Sequence, residues 1–317
     1  MPNAINRDEC KIAVLCGGKS EEREVSLNSG KAVSEALKGA GYDVTTLDPA
    51  SKEDLKQLID GDFTVAFLCT HGRYGEDGTL QGFLEIVGIP YTGSGVLASA
   101  TAMNKCRAKE TYRLHNLPTL PSLTIEKGEG YSIDEIVEKL GDHCVIKAAK
   151  EGSSIGLYIE EGRDAIAAAI EKALGFDDEV LVERYCKARE LTVGVLGNDN
   201  PEALPVIEIV PKEGFYDYEA KYAPGGSKHL CPAPLDEELS QRVRATAEAA
   251  HAALGCKGES RTDFLLEEDG TFWILETNTL PGMTETSLLP DAASKKGMSF
   301  AALCEHLIGL ALEDAAR

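Results

Sequence analysis

The chain is short of positive charge: 32 Lys and Arg stand against 53 Asp and Glu in 317 residues, a formal net charge of −21. That deficit excludes the broad basic footprint of a nucleic-acid binder and a polybasic patch for anionic lipid. Long apolar runs are also missing. The longest, such as Ile12–Cys16 and Val65–Cys69, are strand-sized, well below the roughly 20 residues of a membrane helix. The first ten residues hold no apolar core of a signal peptide. No two of the nine cysteines stand three apart, so there is no CxxC. Cys16, Cys69 and Cys144 lie inside apolar runs, where a thiol behaves as a small hydrophobe. Odd, scattered cysteines of this kind fit a reducing compartment rather than a disulfide framework. The expectation is a soluble cytoplasmic protein, with no nucleic-acid or membrane partner. If it binds an anion, its positive charge must be local.

What is present is ordinary globular composition, 43% hydrophobic and 27% charged, which rules out disorder, collagen and coiled coil. The length is about two domains' worth at roughly 150 residues each. The first third alternates apolar runs with amphipathic stretches. Ile12–Cys16 reads as a buried strand ending in Gly17-Gly18, followed by a helical stripe at Val25, Ser29, Val33, Ala36 and Leu37. Tyr42–Leu47 and Val65–Cys69 read as further strands, with a helix near 52–60 between them. This pattern predicts an α/β domain with a doubly wound parallel sheet. Ligands of such sheets bind beyond the carboxyl ends of the strands, here at Gly17-Gly18 and Thr70-His71-Gly72.

From about residue 104 the pattern becomes α+β. Asn104–His115 reads as a helix, Val145–Lys147 and Leu157–Glu160 as strands around the loop Glu151–Gly156, and Ile166, Ala169, Ile170, Ala173 and Leu174 as a helical stripe. Strands are expected at Val180–Tyr185 and Leu191–Leu196. Residues 211–232 read as a long irregular loop, a candidate lid. A helix is expected at Val243–Leu254, a hairpin at Phe264–Glu276, and a surface helix through Phe300, Leu303, Cys304, Leu307 and Ile308.

Two motifs mislead. Gly18-Lys19-Ser20 resembles the tail of a phosphate-cradling loop, but position 13 is Ala inside a strand where that motif needs glycine. Gly152-Ser153-Ser154-Ile155-Gly156 matches G-x-S-x-G, yet the following residues look extended rather than helical. A serine hydrolase using Ser153 or Ser154 with His229 or His251 is the weaker alternative.

The hairpin carries the most local chemistry. Asp269-Gly270 favours a two-residue type I′ turn, which would set Glu268 opposite Thr271, Asp263 opposite Glu276 and Arg261 opposite Asn278. All four of the latter would share one face. Facing carboxylates destabilise a sheet; a hard cation such as Mg²⁺ would remove the conflict, and so would Arg261 on a solvated face. Both readings stand at this level. Upstream, Lys147 precedes the small-residue loop Glu151–Gly156, whose backbone N–H groups suit phosphate oxygens.

In addition, His71-Gly72-Arg73-Tyr74-Gly75-Glu76-Asp77-Gly78-Thr79-Leu80-Gln81-Gly82 resembles the first signature of the D-alanine–D-alanine ligases. Glu22-Arg23-Glu24-Val25-Ser26, Glu151–Gly156, 215–222 (Phe-Tyr-Asp-Tyr-Glu-Ala-Lys-Tyr) and Asn278-Thr279-Leu280-Pro281-Gly282-Met283-Thr284 follow the family's motifs in order, and the likeness runs from about residue 11 to 312. The resemblance implies an ATP-grasp fold, two α+β lobes clamping ATP behind an N-terminal α/β domain, with parts at 1–103, 104–190 and 191–317. It implies ATP-dependent joining of two D-alanines through an acylphosphate, for peptidoglycan precursors, and a homodimer. By matched position Glu22 would hold the first ammonium, linked to Ser153 and Tyr222, with His71 nearby. Lys105, Lys147 and Lys221 would bind phosphates, with Ser154 in the loop. Glu183, Tyr185 and Cys186 would read adenine and Glu190 ribose. Asp263, Glu276 and Asn278 would hold two Mg²⁺ ions, with Mn²⁺ as a substitute. Arg261 and the Gly282 N–H would stabilise the oxyanion, and Ser287 would contact the second carboxylate. Residues depart from the family's pattern at Ala148, Arg184, Thr262, Thr277, Leu280 and Thr286. Ligases for D-lactate or D-serine, and a silent nucleotide-binding relative, are the nearer alternatives.

Overall fold

The computed structural model describes residues 7–152, 155–211 and 227–316. Strands β1 (Lys11–Leu15), β2 (Asp43–Leu47) and β3 (Val65–Leu68) form a parallel sheet in the order β2-β1-β3. Helices α1 (Arg23–Gly39) and α2 (Lys52–Asp60) connect them. β3 and all of β1 after Lys11 are apolar and buried because both their faces are covered, whereas the edge strand β2 buries only Val44 and Leu47. Ile12, Val14, Val65 and Phe67 point into one core with Val33 and Leu37 of α1, while Ala13, Leu15, Ala66 and Leu68 point into another. The second core is closed by Leu80 and Leu84 of α3 (Thr79–Val87). Helix α1 lies close to the sheet, and a Cβ at Gly30 would sit 2.4 Å from the Cys16 Sγ.

Helix α4 (Val96–Met103) leads into α5 (Lys105–Leu114), whose first N–H groups are capped by the Asn104 side chain. A second, antiparallel sheet follows in the order β4-β7-β5-β6. It comprises β4 (Ser122–Glu126), β5 (His143–Ala148), β6 (Leu157–Glu161) and β7 (Glu179–Arg184), covered by α6 (Ile133–Leu140) and α7 (Arg163–Ala173). The α7 stripe expected at Ile166, Ala169, Ile170 and Ala173 is fully buried there.

The third sheet has the order β11-β10-β8-β12-β13, with the short β9 (Glu202–Ala203) on β8. Its strands are β8 (Arg189–Leu196), β10 (Ile207–Pro211), β11 (Ser227–Leu230), β12 (Glu259–Leu266) and β13 (Phe272–Asn278). Strand β11 lies inside the stretch read as irregular: Ile209 pairs with His229 and Glu208 with Leu230. Its sequence Ser-Lys-His-Leu lacks the apolar alternation that marks a half-buried strand, because it is an edge. Residues 212–226 of the expected lid lie outside the described residues. Helix α8 (Glu237–Leu254) starts before the first apolar position. Asp236 accepts the Leu239 N–H, and Glu237 and Glu238 suit the helix N-terminus.

The hairpin register departs from expectation in two places that offset each other. Gly270 (φ +85°) donates to the Glu267 carbonyl, and Glu267 donates to Thr271. The loop is therefore three residues with a left-handed glycine, not a type I′ turn, and Glu268 does not face Thr271. Leu266 faces Phe272 and Phe264 faces Ile274. A bulge between Asp263 and Phe264 then leaves Leu275 extra on β13, so Asp263 faces Glu276 and Arg261 faces Asn278 after all.

Helix α9 (Leu288–Lys295) precedes α10 (Phe300–Ala315). The latter is no ordinary surface helix. Leu303, Cys304, Leu307 and Ile308 are wholly buried with Val14, Phe67 and Val33. Each such aliphatic side chain contributes about 2 kcal/mol. The end of the chain thus closes a face of the N-terminal sheet.

Candidate functional site

A cavity of about 570 Å³ opens where the N-terminal sheet, α4–α5, β12–β13 and the 282–288 segment meet. Of the residues expected to act, it is lined by Glu22, His71, Lys105, Arg261, Glu276, Asn278, Gly282 and Ser287. Lys147, Glu183, Tyr185, Cys186 and Glu190 lie away from this wall, on β5, on and just after β7, and on β8. Ser153, Ser154, Lys221 and Tyr222 fall outside the described residues.

Asp263 is gripped by Arg261, whose Nε and Nη2 each lie 3.0 Å from a carboxylate oxygen, and it accepts the Thr192 hydroxyl at 2.5 Å. Opposite it, Glu276 lies 3.8 Å from the Lys105 Nζ, which donates to the Glu151 carbonyl at 2.7 Å. Two facing carboxylates are thus each matched by a cation. Asn278 shares their face, and its Oδ1 accepts the Leu280 N–H at 3.0 Å. The donors are oxygens from one sheet face, which fits a hard cation; among the described residues no group of three or more His, Cys, Asp or Glu is placed to hold a metal ion.

At the other end, Ser287 stands at the N-cap position of α9, its side chain turned away from the helix N–H groups. Its Oγ accepts the Thr284 N–H at 3.1 Å and pairs with the Thr284 hydroxyl at 2.8 Å. Ser29 of α1 accepts the Met283 N–H at 3.2 Å, fixing this segment to the N-terminal domain. Between the ends, Glu22 abuts Gly72 and Gly152, where a Cβ would approach its Oε2 to 3.2 Å in each case. His71 is buried, which lowers its pKa against the opposing pull of Glu22, and its Nε2 has no hydrogen-bond partner among the described residues.

Glu76 is a cavity residue to which the sequence reading gave no role. Its carboxylate accepts the Gly72 N–H at 2.8 Å. Burial, reinforced by Glu22, pushes it to about 8. An acidic side chain between glycines of a cavity-edge loop was the only signal of it in the sequence.

Behind the cavity, Lys109 and Glu183 are both 1% exposed and 2.5 Å apart, and Lys147 approaches the other Glu183 oxygen at 2.9 Å. Burial alone would raise Glu183; the two lysines outweigh it, and the net shift is downward. Lys109 also donates to the Ile274 carbonyl at 2.9 Å. Lys105, Lys109 and Tyr112 follow helical spacing on α5, and all three reach β13. Tyr112 donates to the Thr277 hydroxyl at 2.8 Å, and Thr277 lies 2.9 Å from Thr262. Two departures from the family pattern are therefore each other's partners across the hairpin. A third, Leu280, is 2% exposed and packs toward Gly93 in a core of the N-terminal domain. Tyr185 stacks on His143 with ring centroids 3.8 Å apart.

Comparison with known proteins agrees along the whole chain. The family model described as D-ala D-ala ligase C-terminus matches residues 114–309, and that described as D-ala D-ala ligase N-terminus matches residues 48–94. The chain is 49% identical to a D-alanine–D-alanine ligase of Geobacter sulfurreducens over 309 residues, covering 96% of each. It is 49% identical to one of Syntrophobacter fumaroxidans over 314 residues, covering 98% of this chain and 100% of that one. Among solved structures, a D-alanine–D-alanine ligase from Bacillus anthracis matches with a TM-score of 0.85 and 33% identity, covering 97% of this chain and 99% of that one. A structure of the Bacillus anthracis enzyme complexed with ATP matches with the same TM-score at 32% identity. With its parallel N-terminal sheet followed by two antiparallel ATP-grasp sheets, the chain belongs to the D-alanine–D-alanine ligase family.

Proposed function

We propose that the cavity joins two D-alanines at the expense of ATP, giving D-alanyl-D-alanine, ADP and phosphate for peptidoglycan precursors. The observation that carries this reading is the meeting of three features in one cavity: Glu22 at the N-terminal sheet, the hairpin face with Arg261, Glu276 and Asn278 beside Lys105, and Ser287 at the N-cap position of α9. A free carboxylate is a poor electrophile at neutral pH. Phosphorylation supplies a leaving group, and water must then be kept out.

In this reading Glu22 holds the ammonium of the first D-alanine beside His71. Its carboxylate faces the Lys105 and Arg261 end, where the phosphoryl group arrives. Arg261 and the Gly282 N–H bind the oxyanion that forms on attack, worth about 3–4 kcal/mol per donor. Ser287 and the first N–H groups of α9 hold the carboxylate of the second D-alanine. Lys105 and Lys147 take phosphate charge. Glu183, Tyr185 and Cys186 border the adenine and Glu190 the ribose. Ser153, Ser154, Lys221 and Tyr222 enter on their motifs alone. Asp263, Glu276 and Asn278 would hold Mg²⁺, two ions or Mn²⁺ in their place; when bound, the ions supply positive charge to the transferring phosphoryl group. The same reading takes 1–103, 104–190 and 191–317 as the three parts, and the protein as a cytoplasmic homodimer. No helix among the described residues is long and apolar enough to cross a membrane.

The test is release of ADP and phosphate with ATP, Mg²⁺ and D-alanine, compared with L-alanine, together with identification of the dipeptide. No turnover with D-alanine, or equal turnover with L-alanine, overturns the assignment.

A further inference from the structure

We propose that His229 faces the second amino acid and takes the proton its ammonium must lose before it attacks. This rests on the ligase reading above. An amino acid at neutral pH carries an ammonium with no lone pair. The cavity walls hold the carboxylates of Glu22, Glu24 and Glu276, with Glu76 kept largely protonated by burial, against Lys105 and Arg261. Such a lining favours the protonated amine, so a proton acceptor is needed where the nucleophile sits.

His229 is placed for that task. Pairing of β11 with β10 sets it opposite Ile209, and it lines the cavity together with Thr284, Thr286, Ser287 and Leu288. Its ring feels Asp291 in the first turn of α9, the helix whose N-cap is Ser287. The hydroxyls of Thr284, Thr286 and Ser287 do not titrate near neutrality. The cavity's other histidine, His71, is on the Glu22 side. Burial lowers His229 below its ordinary value of 6.5, and Asp291 opposes this only in part. The other charges on neighbouring elements are Glu24 of α1, which lines the cavity, and Lys295 of α9, which acts on the adjacent Cys231. The ring is accordingly neutral at pH 7.

The step balances. A proton leaves the ammonium nitrogen for the imidazole. The freed lone pair forms the C–N bond at the acyl carbon, leaving a nitrogen with two hydrogens and a positive charge; the C–O bond to phosphate then breaks with its electron pair, and the departing phosphate takes the second proton, leaving the amide N–H. The imidazolium then returns its proton to water.

Hydroxylamine separates the half-reactions, because it is already unprotonated at neutral pH and needs no base to trap an acylphosphate. His229→Gln and His229→Asn should form D-alanine hydroxamate from ATP and D-alanine at the wild-type rate. Their kcat/KM for the second D-alanine should fall roughly 100-fold, and the acid limb of its pH profile should disappear. Dipeptide synthesis that is unchanged, or that falls only in step with hydroxamate formation, overturns the assignment of His229. Absence of hydroxamate with the wild-type protein would instead sink the ligase reading itself.

Discussion

Replacing Glu259 with Gln should flatten the pH dependence of stability. Glu259 opens β12, is 1% exposed, and its Oε2 has no hydrogen-bond partner among the described residues. It lies near Gly93 of the N-terminal domain, and its charge would be felt by the buried thiols of Cys69 and Cys304. With no cation among the described residues to offset it, burial raises the carboxyl from an ordinary 4.5 to about 8. The folded state therefore keeps a proton that the unfolded state has released. This contribution is fully present below the unfolded value and is lost as pH rises toward the folded one. The slope between them is about 1.4 kcal/mol per pH unit, so roughly 3 kcal/mol disappears from pH 5 to pH 7. A glutamine has the same shape and does not ionise. Its extra N–H donors carry a cost of about 1–3 kcal/mol that does not vary with pH, so the decisive quantity is the slope. Urea unfolding of both proteins at pH 5, 6, 7 and 8 should show the variant gaining on the wild type at each step. A constant difference across that range would mean that Glu259 is already ionised in the folded protein, and the reasoning fails.

Gly30→Ala should destabilise by about 1–3 kcal/mol through overpacking against Cys16, and Cys16→Ala in the same chain should recover most of it; thermal melting of the single and double variants decides. Thr262→Val and Thr277→Val should each cost about 1 kcal/mol, with the double variant costing less than the two together; strict additivity in a double-mutant cycle would refute the shared hydrogen bond. Lys109→Met should cost about 3–5 kcal/mol by leaving Glu183 with one lysine in a buried site. Adding Glu183→Gln should restore part of that in calorimetric unfolding, and no recovery would show that the ion pair is not what Lys109 contributes.

The hairpin shows how sequence reasoning reaches a right contact by an incomplete route. Alternation placed Arg261, Asp263, Glu276 and Asn278 on one face, and that survives because neither a loop residue nor a bulge alters the outward parity once they offset each other. The turn type was not legible, because Asp-Gly serves both a two-residue turn and a three-residue loop ending in a left-handed glycine. Strand β11 was hidden because an edge strand lacks the apolar alternation that betrays an inner one. His229 on it was noticed only as a formal partner for a hydrolase triad.

Local pattern alone determined the parallel N-terminal sheet, the change to α+β near residue 104, the stripes of α1 and α7, and the ordered motifs that point to the family. These depend on side chains a few positions apart, and short-range geometry makes such neighbours face one way. Only tertiary structure decided that the last helix closes the first sheet, that Lys109 meets Glu183, that Tyr112, Thr262 and Thr277 share hydroxyl contacts, and that Glu76 and His229 open into one cavity. Each joins residues far apart in the chain. An apolar stripe or a lone polar residue states that it needs a partner, and the packing of the whole molecule selects which one it gets.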